Sequence, residues 1–149
     1  MEIILPKSMP NKTGYVEGVF DLFHIGHLRL LKRSKQVFGK VVAGVHSDET
    51  TAAYKSEPVI PYEHRLEIIS ACKYVDEVIE APNLGIPTFD TIKFLNRNKL
   101  DYVVHGKTSE ETLQKHFSEI IKHNRLYLME ETEMYHTQDL IKKCQEKVK

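Results

Sequence analysis

Residues 18–27 read GVFDLFHIGH, with His24 and His27 three residues apart in an otherwise apolar run between Gly18 and Gly26. Imidazoles donate hydrogen bonds near neutral pH. Glycine lets a ligand come close to the backbone, and the free N–H groups of a helix start attract anions. Positions 24 and 27 of a helix project to the same side, so two rings there can hold neighbouring phosphate oxygens. The residues alone leave two other readings open. The histidines can be satisfied core residues, or zinc ligands for which no third ligand stands at suitable spacing. Lys55 lies in a polar stretch, where it is either a phosphate-bridging cation or a solvated loop lysine.

These residues need elements to position them. Short β-branched runs at 13–20, 40–46, 74–81, 101–106 and 125–130 read as strands. Amphipathic segments lie between and after them: 26–38, 62–73 behind Pro61, 88–98, 109–123 behind Ser109, and 137–147 with Thr137 as its cap. In 26–38 the leucines oppose a polar side of Arg29, Lys32, Arg33 and Lys35. Strands alternating with helices predict an α/β domain of three layers, a five-stranded parallel sheet with helices on both faces. Ligands then bind beyond the carboxyl ends of the strands, near the switch point. Here those ends are 18–27, 46–55, 80–87, 105–108 and 130–137. Residues 1–12 read as an N-terminal arm and 13–149 as one domain. Ile3, Ile4 and Leu5 suit a sheet edge or a second subunit.

The chain has 149 residues, and its 21 basic and 21 acidic residues balance. That argues against whole-surface attraction to nucleic acid or an anionic membrane, though not against a local anion site. Cys72 and Cys144 stand far apart, outside metal spacing, and read as reduced thiols. No apolar run reaches the ~18 residues of a membrane span. The start, MEIILPKSMPNK, is too broken by prolines for a signal peptide. The expected location is the cytoplasm, with no membrane insertion.

GVFDLFHIGH also resembles the G-x-F-D-x-x-H-x-G-H signature of the cytidylyltransferases, in the HxGH nucleotidyltransferase superfamily. HSDE (46–49), Lys55, YEHR (62–65), CKYVDEVI (72–79) and DYVVHG (101–106) extend the likeness over roughly residues 14–141. The resemblance implies a Rossmann-like domain that transfers CMP from CTP to a small phosphorylated alcohol and releases pyrophosphate. The nucleophile is a phosphate oxygen that is already anionic, so positioning and charge neutralisation carry the chemistry. By resemblance His24, His27 and Lys55 are catalytic, with the lysine bridging the reacting phosphates. Gly18, Val19, Phe20, Asp21, Gly26, His105, Gly106, Lys107, Glu131, Thr132 and Thr137 are the implied nucleotide-binding residues. Mg²⁺ is implied with the triphosphate, not as a protein-held metal, and a homodimer is implied as the assembly. Arg65 is either near a subunit interface or a helix-surface arginine; Asp76 and Glu77 read as structural. The acceptor pocket is expected near 82–87 and 107–112 and carries no signature. The phosphoethanolamine and phosphocholine enzymes look nearest, with glycerol 3-phosphate and other polyol phosphates open.

One segment departs from the family pattern R-T-x-G-x-S-T-T. ETEMYHTQ (131–138) has Glu131 for the arginine, Met134 for the glycine, and His136 and Gln138 for a serine and a threonine. A carboxylate ~5 Å from a phosphate charge repels it by about 3 kcal/mol at an effective dielectric near 20. Lys107, after strand 4, is expected to take over part of the arginine's role, with Glu131, after strand 5, paired to it or facing a metal or an amine; the other reading is two unrelated, solvent-exposed side chains. Two alternatives follow from the departure: transfer of AMP rather than CMP, and a nucleotide-binding protein impaired in catalysis.

Overall fold

The structure, a computed structural model, describes residues 5–84, 88–130 and 136–148. Its strands are β1 (Met9–Gly18), β2 (Phe38–Val45), β3 (Glu77–Glu80), β4 (Tyr102–Gly106) and β5 (Leu126–Met129). They form one sheet in the order β3-β2-β1-β4-β5, with every pairing parallel. The helices are α1 (Ile25–Val37), α2 (Asp48–Tyr54), α3 (Tyr62–Ser70), α4 (Thr91–Arg97), α5 (Glu110–His116), α6 (Ser118–Lys122) and α7 (Thr137–Lys147). This is the predicted α/β architecture. Among the described residues, no helix is long and apolar enough to cross a membrane.

Strand alternation divides the core in two. Val16, Val41, Ala43 and Val45 face Leu31 and Val37 of α1 and Ile69 of α3. Tyr15, Val42 and Val103 point the other way, to Leu95 of α4 and Ile120 of α6. β1 lies between β2 and β4, where the strand order reverses, so the crevice opens at the carboxyl end of β1.

Several boundaries differ from the sequence reading, each for a local reason. β1 starts at Met9 rather than 13, so it takes in the end of the expected arm. The 109–123 helix is two pieces, broken at Phe117, whose φ of −123° and ψ of 11° leave the helical region while its ring packs on the second core. α2 was not anticipated, because DETTAAY is short and lacks an apolar stripe. It forms because Ser47 caps Thr50 N–H at 3.1 Å and Asp48 and Glu49 suit the helix dipole. β3 starts late because Asp76 turns inward, accepting Val41 N–H at 2.8 Å and Lys35 Nζ at 2.8 Å. Asp76 is thus structural, as expected, while Glu77 pairs with Lys40 at 2.9 Å. Cys72 and Cys144 are both free thiols.

Candidate active site

β1 ends at Gly18, and the chain reaches α1 through a tight double reversal. Phe20 (φ 56°) and Leu22 (φ 50°) both adopt the left-handed region, which is unfavourable for bulky side chains. His24 is then the N-cap of α1 rather than a helical residue. Its Nδ1 accepts Gly26 N–H at 3.0 Å, and His27 Nδ1 accepts His24 N–H at 3.3 Å. This is a reciprocal capping box made of two imidazoles. The rings stack with centroids 3.8 Å apart. They meet because of the cap, not because both sit on one helical face as the spacing suggested.

That cap fixes the chemistry. With both Nδ1 atoms accepting, each neutral ring carries its proton on Nε2. His24 Nε2 donates to Thr137 Oγ1 at 3.2 Å, and the Thr137 hydroxyl donates to the Asp21 carbonyl at 3.3 Å. Burial, helped by His24, pushes the His27 pKa down to about 4. Burial, then the nearby His136, also lowers that of His24. Both rings are therefore neutral near pH 7 and still offer an N–H donor, which suits an anionic ligand without a costly buried charge.

A cavity of about 890 Å³ opens in front of the pair. Gly18, Val19, Phe20, Asp21, Gly26, His24 and His27 line it from the turn, with Lys55 from the end of α2 and Thr137 from the start of α7. The structure thus brings together sequence-predicted residues separated by more than a hundred positions. It adds others. Gly26, Arg29, Leu30 and Arg33 of α1 line one wall, and their i, i+3, i+4, i+7 spacing makes them a single stripe. From sequence the arginines read as an ordinary polar side; the glycine within their stripe was the usable signal. Arg33 donates to the Glu130 carbonyl. Leu30, Met129 and Ile141 make an apolar floor.

Other expected residues lie elsewhere. His105, Gly106 and Lys107 do not line this cavity; the His105 ring rests on Phe117 at 4.8 Å, and Lys107 is exposed. Glu131, Thr132 and Met134 fall outside the described residues, and with them the expected Lys107–Glu131 pair. Of the expected acceptor pocket, residues 82–84 and 107–112 are absent from the wall, where the 55–59 loop stands instead, and residues 85–87 lie outside the described residues.

Two buried charges hold that loop. Asp21, 9% exposed, accepts Val59 N–H at 2.8 Å and Ile60 N–H at 2.9 Å. Arg65 is fully buried, which overturns the helix-surface reading. It donates to the carbonyls of Val19 (2.7 Å), His46 (2.8 Å) and Ile60 (2.8 Å) and to Asp48 Oδ1 (2.7 Å). Those long-range bonds leave no trace in sequence spacing. The Arg65 guanidinium holds the Asp48 carboxyl below its ordinary pKa.

A second polar cluster sits beside the turn and was missed. Glu17 shares the Tyr15 side of β1 and accepts the Tyr15 hydroxyl at 3.2 Å, while His46 Nε2 stands 3.5 Å from its other oxygen. The Tyr15 hydroxyl passes over Gly44, where a Cβ would stand 2.0 Å from it. The Tyr54 ring lies 5.9 Å from that of His46. Burial raises the Glu17 pKa, opposed first by His46. An acidic residue two places from Tyr15, on a face expected to be apolar, was the signal.

The family model described as cytidylyltransferase-like matches residues 15–147. A probable choline-phosphate cytidylyltransferase of Schizosaccharomyces pombe is 40% identical over 102 residues, covering 67% of this chain and 27% of its own length. An ethanolamine-phosphate cytidylyltransferase of Dictyostelium discoideum is 39% identical over 93 residues, covering 62% of this chain and 25% of its own. The chain thus spans about a quarter of the length of these curated relatives. Among solved structures, a lipopolysaccharide core biosynthesis protein of Thermoplasma volcanium superposes with a TM-score of 0.63 at 28% identity, over 83% of this chain and 98% of that one. A pantothenate synthetase of Thermus thermophilus, at 12% identity and a TM-score of 0.51 over 83% of this chain and 56% of its own, shares the fold alone.

Proposed function

The chain belongs to the cytidylyltransferase-like family, and we propose that it transfers CMP from CTP to a phosphorylated amino alcohol of the phosphocholine or phosphoethanolamine type. The observation that carries this reading is the reciprocal His24–His27 cap, which leaves both neutral rings with an Nε2–H donor at a cavity that Lys55, Arg29 and Arg33 also line; the His24 donor would exchange Thr137 Oγ1 for a phosphate oxygen. In the proposed reaction a phosphate oxygen of the acceptor attacks the α-phosphorus of CTP in line. The new P–O bond forms as the α–β bridge breaks, and pyrophosphate leaves with its electron pair. No group need remove a proton, because the nucleophile is already ionised. The two Nε2–H groups stabilise charge at the α-phosphate, and Lys55 neutralises the two phosphates as they approach. Arg29 and Arg33, rather than Lys107, supply the cationic wall for the rest of the nucleotide.

The names of the relatives, choline-phosphate and ethanolamine-phosphate cytidylyltransferases, support the acceptor class.

Mg²⁺ enters with the triphosphate in this reading. Among the described residues no three His, Cys, Asp or Glu side chains form a group able to hold a metal, and both Asp21 oxygens are engaged by backbone N–H groups. No step is therefore assigned to a protein-held metal.

Pyrophosphate release tests the proposal, with CTP and ATP each offered phosphocholine, phosphoethanolamine and glycerol 3-phosphate. Turnover is expected only with CTP and a cationic acceptor. Turnover with ATP assigns adenylyl transfer instead. No turnover with any pair leaves nucleotide binding as the function.

A further inference from the structure

We propose that Asp21 is a positioning residue: its carboxylate straps the segment following Lys55 onto the β1–α1 turn and so sets where the lysine ammonium stands. The lysine's role rests on the transferase reading above; the strap rests on geometry. Left-handed Phe20 and Leu22 flank Asp21 and turn its side chain inward. Oδ2 accepts Val59 N–H and Oδ1 accepts Ile60 N–H, at 2.8 and 2.9 Å. Charge-assisted bonds of this kind are about twice as strong as neutral ones. Residues 55–60 belong to no helix or strand, and Val59 is 62% exposed, so packing alone does not hold them. Arg65 takes the Ile60 carbonyl at 2.8 Å, which grips that residue at both its donor and its acceptor. Asp21 also accepts the Thr137 hydroxyl on its own carbonyl. One residue thus ties both walls of the cavity to the turn.

The reading from resemblance placed Asp21 against the nucleotide. Its carboxylate is instead committed to the loop, and a nucleotide donor would have to displace one of two short bonds. Asparagine at this place has one acceptor and one donor group, so it can satisfy one amide and confronts the other with N–H.

Amide hydrogen exchange and kinetics together test the strap. In the unsubstituted chain, Val59 and Ile60 should exchange at least ~100-fold more slowly than an open loop. Asp21→Asn should remove that protection while the β1 and β2 amides keep theirs. It should lower kcat toward that of Lys55→Ala and leave KM for CTP within about threefold. In the double variant the losses should not add, as expected for residues acting as one unit. A raised KM for CTP, or a further loss on the Lys55→Ala background, would assign Asp21 to the nucleotide and overturn the strap. Unprotected Val59 and Ile60 in the unsubstituted chain overturn it even where the Asn variant fails to fold. If no substrate pair turns over, the transferase reading fails while the exchange result still decides the strap.

Discussion

The β1–α1 turn and the start of α7 face each other across the cavity and are held in different ways. In the turn, Asp21 is buried, His24 and His27 cap one helix reciprocally, and Arg65 grips Val19 from below. α7 buries none of its residues, and among its described contacts with the turn are the bonds Thr137 makes to His24 and to the Asp21 carbonyl. The turn accepts unfavourable backbone at Phe20 and Leu22 because its hydrogen bonds over-determine it. α7 has its own reciprocal cap between His136 and Asp139, but none of its residues is buried. Several bonds at once fix the donors of the turn, so the two sides should respond very differently to substitution.

The sharpest contrast comes from the turn itself. His27→Ala should lower kcat/KM by about a thousandfold while the chain stays folded, as for other preorganised donors. Parallel assays and circular dichroism check both halves. Arg65→Met strikes the support rather than the site. It strands three carbonyls and should destabilise folding by about 3 kcal/mol or more in urea titration. Thr137→Val removes two neutral hydrogen bonds of about 1 kcal/mol each, so a loss of at most about thirtyfold is expected. A Thr137 effect equal to that of His27 would erase the contrast.

Much of the turn was legible in sequence and little of the opposite wall was. GVFDLFHIGH places its glycines and histidines within a few residues of each other, so a local motif carries a local structure. The partners of Asp21 stand at Val59 and Ile60, and those of Arg65 at Val19 and His46, so their roles arise only when the sheet closes. The central strands were readable because β2 carries Val41, Val42, Ala43 and Val45 and β4 carries Val103 and Val104, apolar on both faces, while β1 adds Tyr15 and Val16. The short helices were not, since α2 depends on its Ser47 cap and the α5–α6 break depends on Phe117 reaching the core. Arg29 and Arg33 had the right spacing for a wall, but only the fold shows that their side of α1 meets a cavity.

Acidity offers the gentlest probe. The fold favours neutral His27, so the stability it contributes is complete above about pH 6.5 and is lost as pH falls toward about 4. A bound triphosphate raises the imidazole pKa values, so CTP binding at pH 5.5 should take up protons and at pH 8 should not. Calorimetry in buffers of different ionisation heat measures this uptake.

The central claim is that the two capping imidazoles hold the triphosphate through Nε2–H. Long-range ¹⁵N–¹H spectra of the histidines during a CTP titration test it most directly. The account predicts two neutral Nε2–H rings in the free protein. Both should shift with CTP at one common saturation point, and inorganic pyrophosphate should compete. Rings that carry the proton on Nδ1, or that stay unmoved while CTP binds, would contradict it.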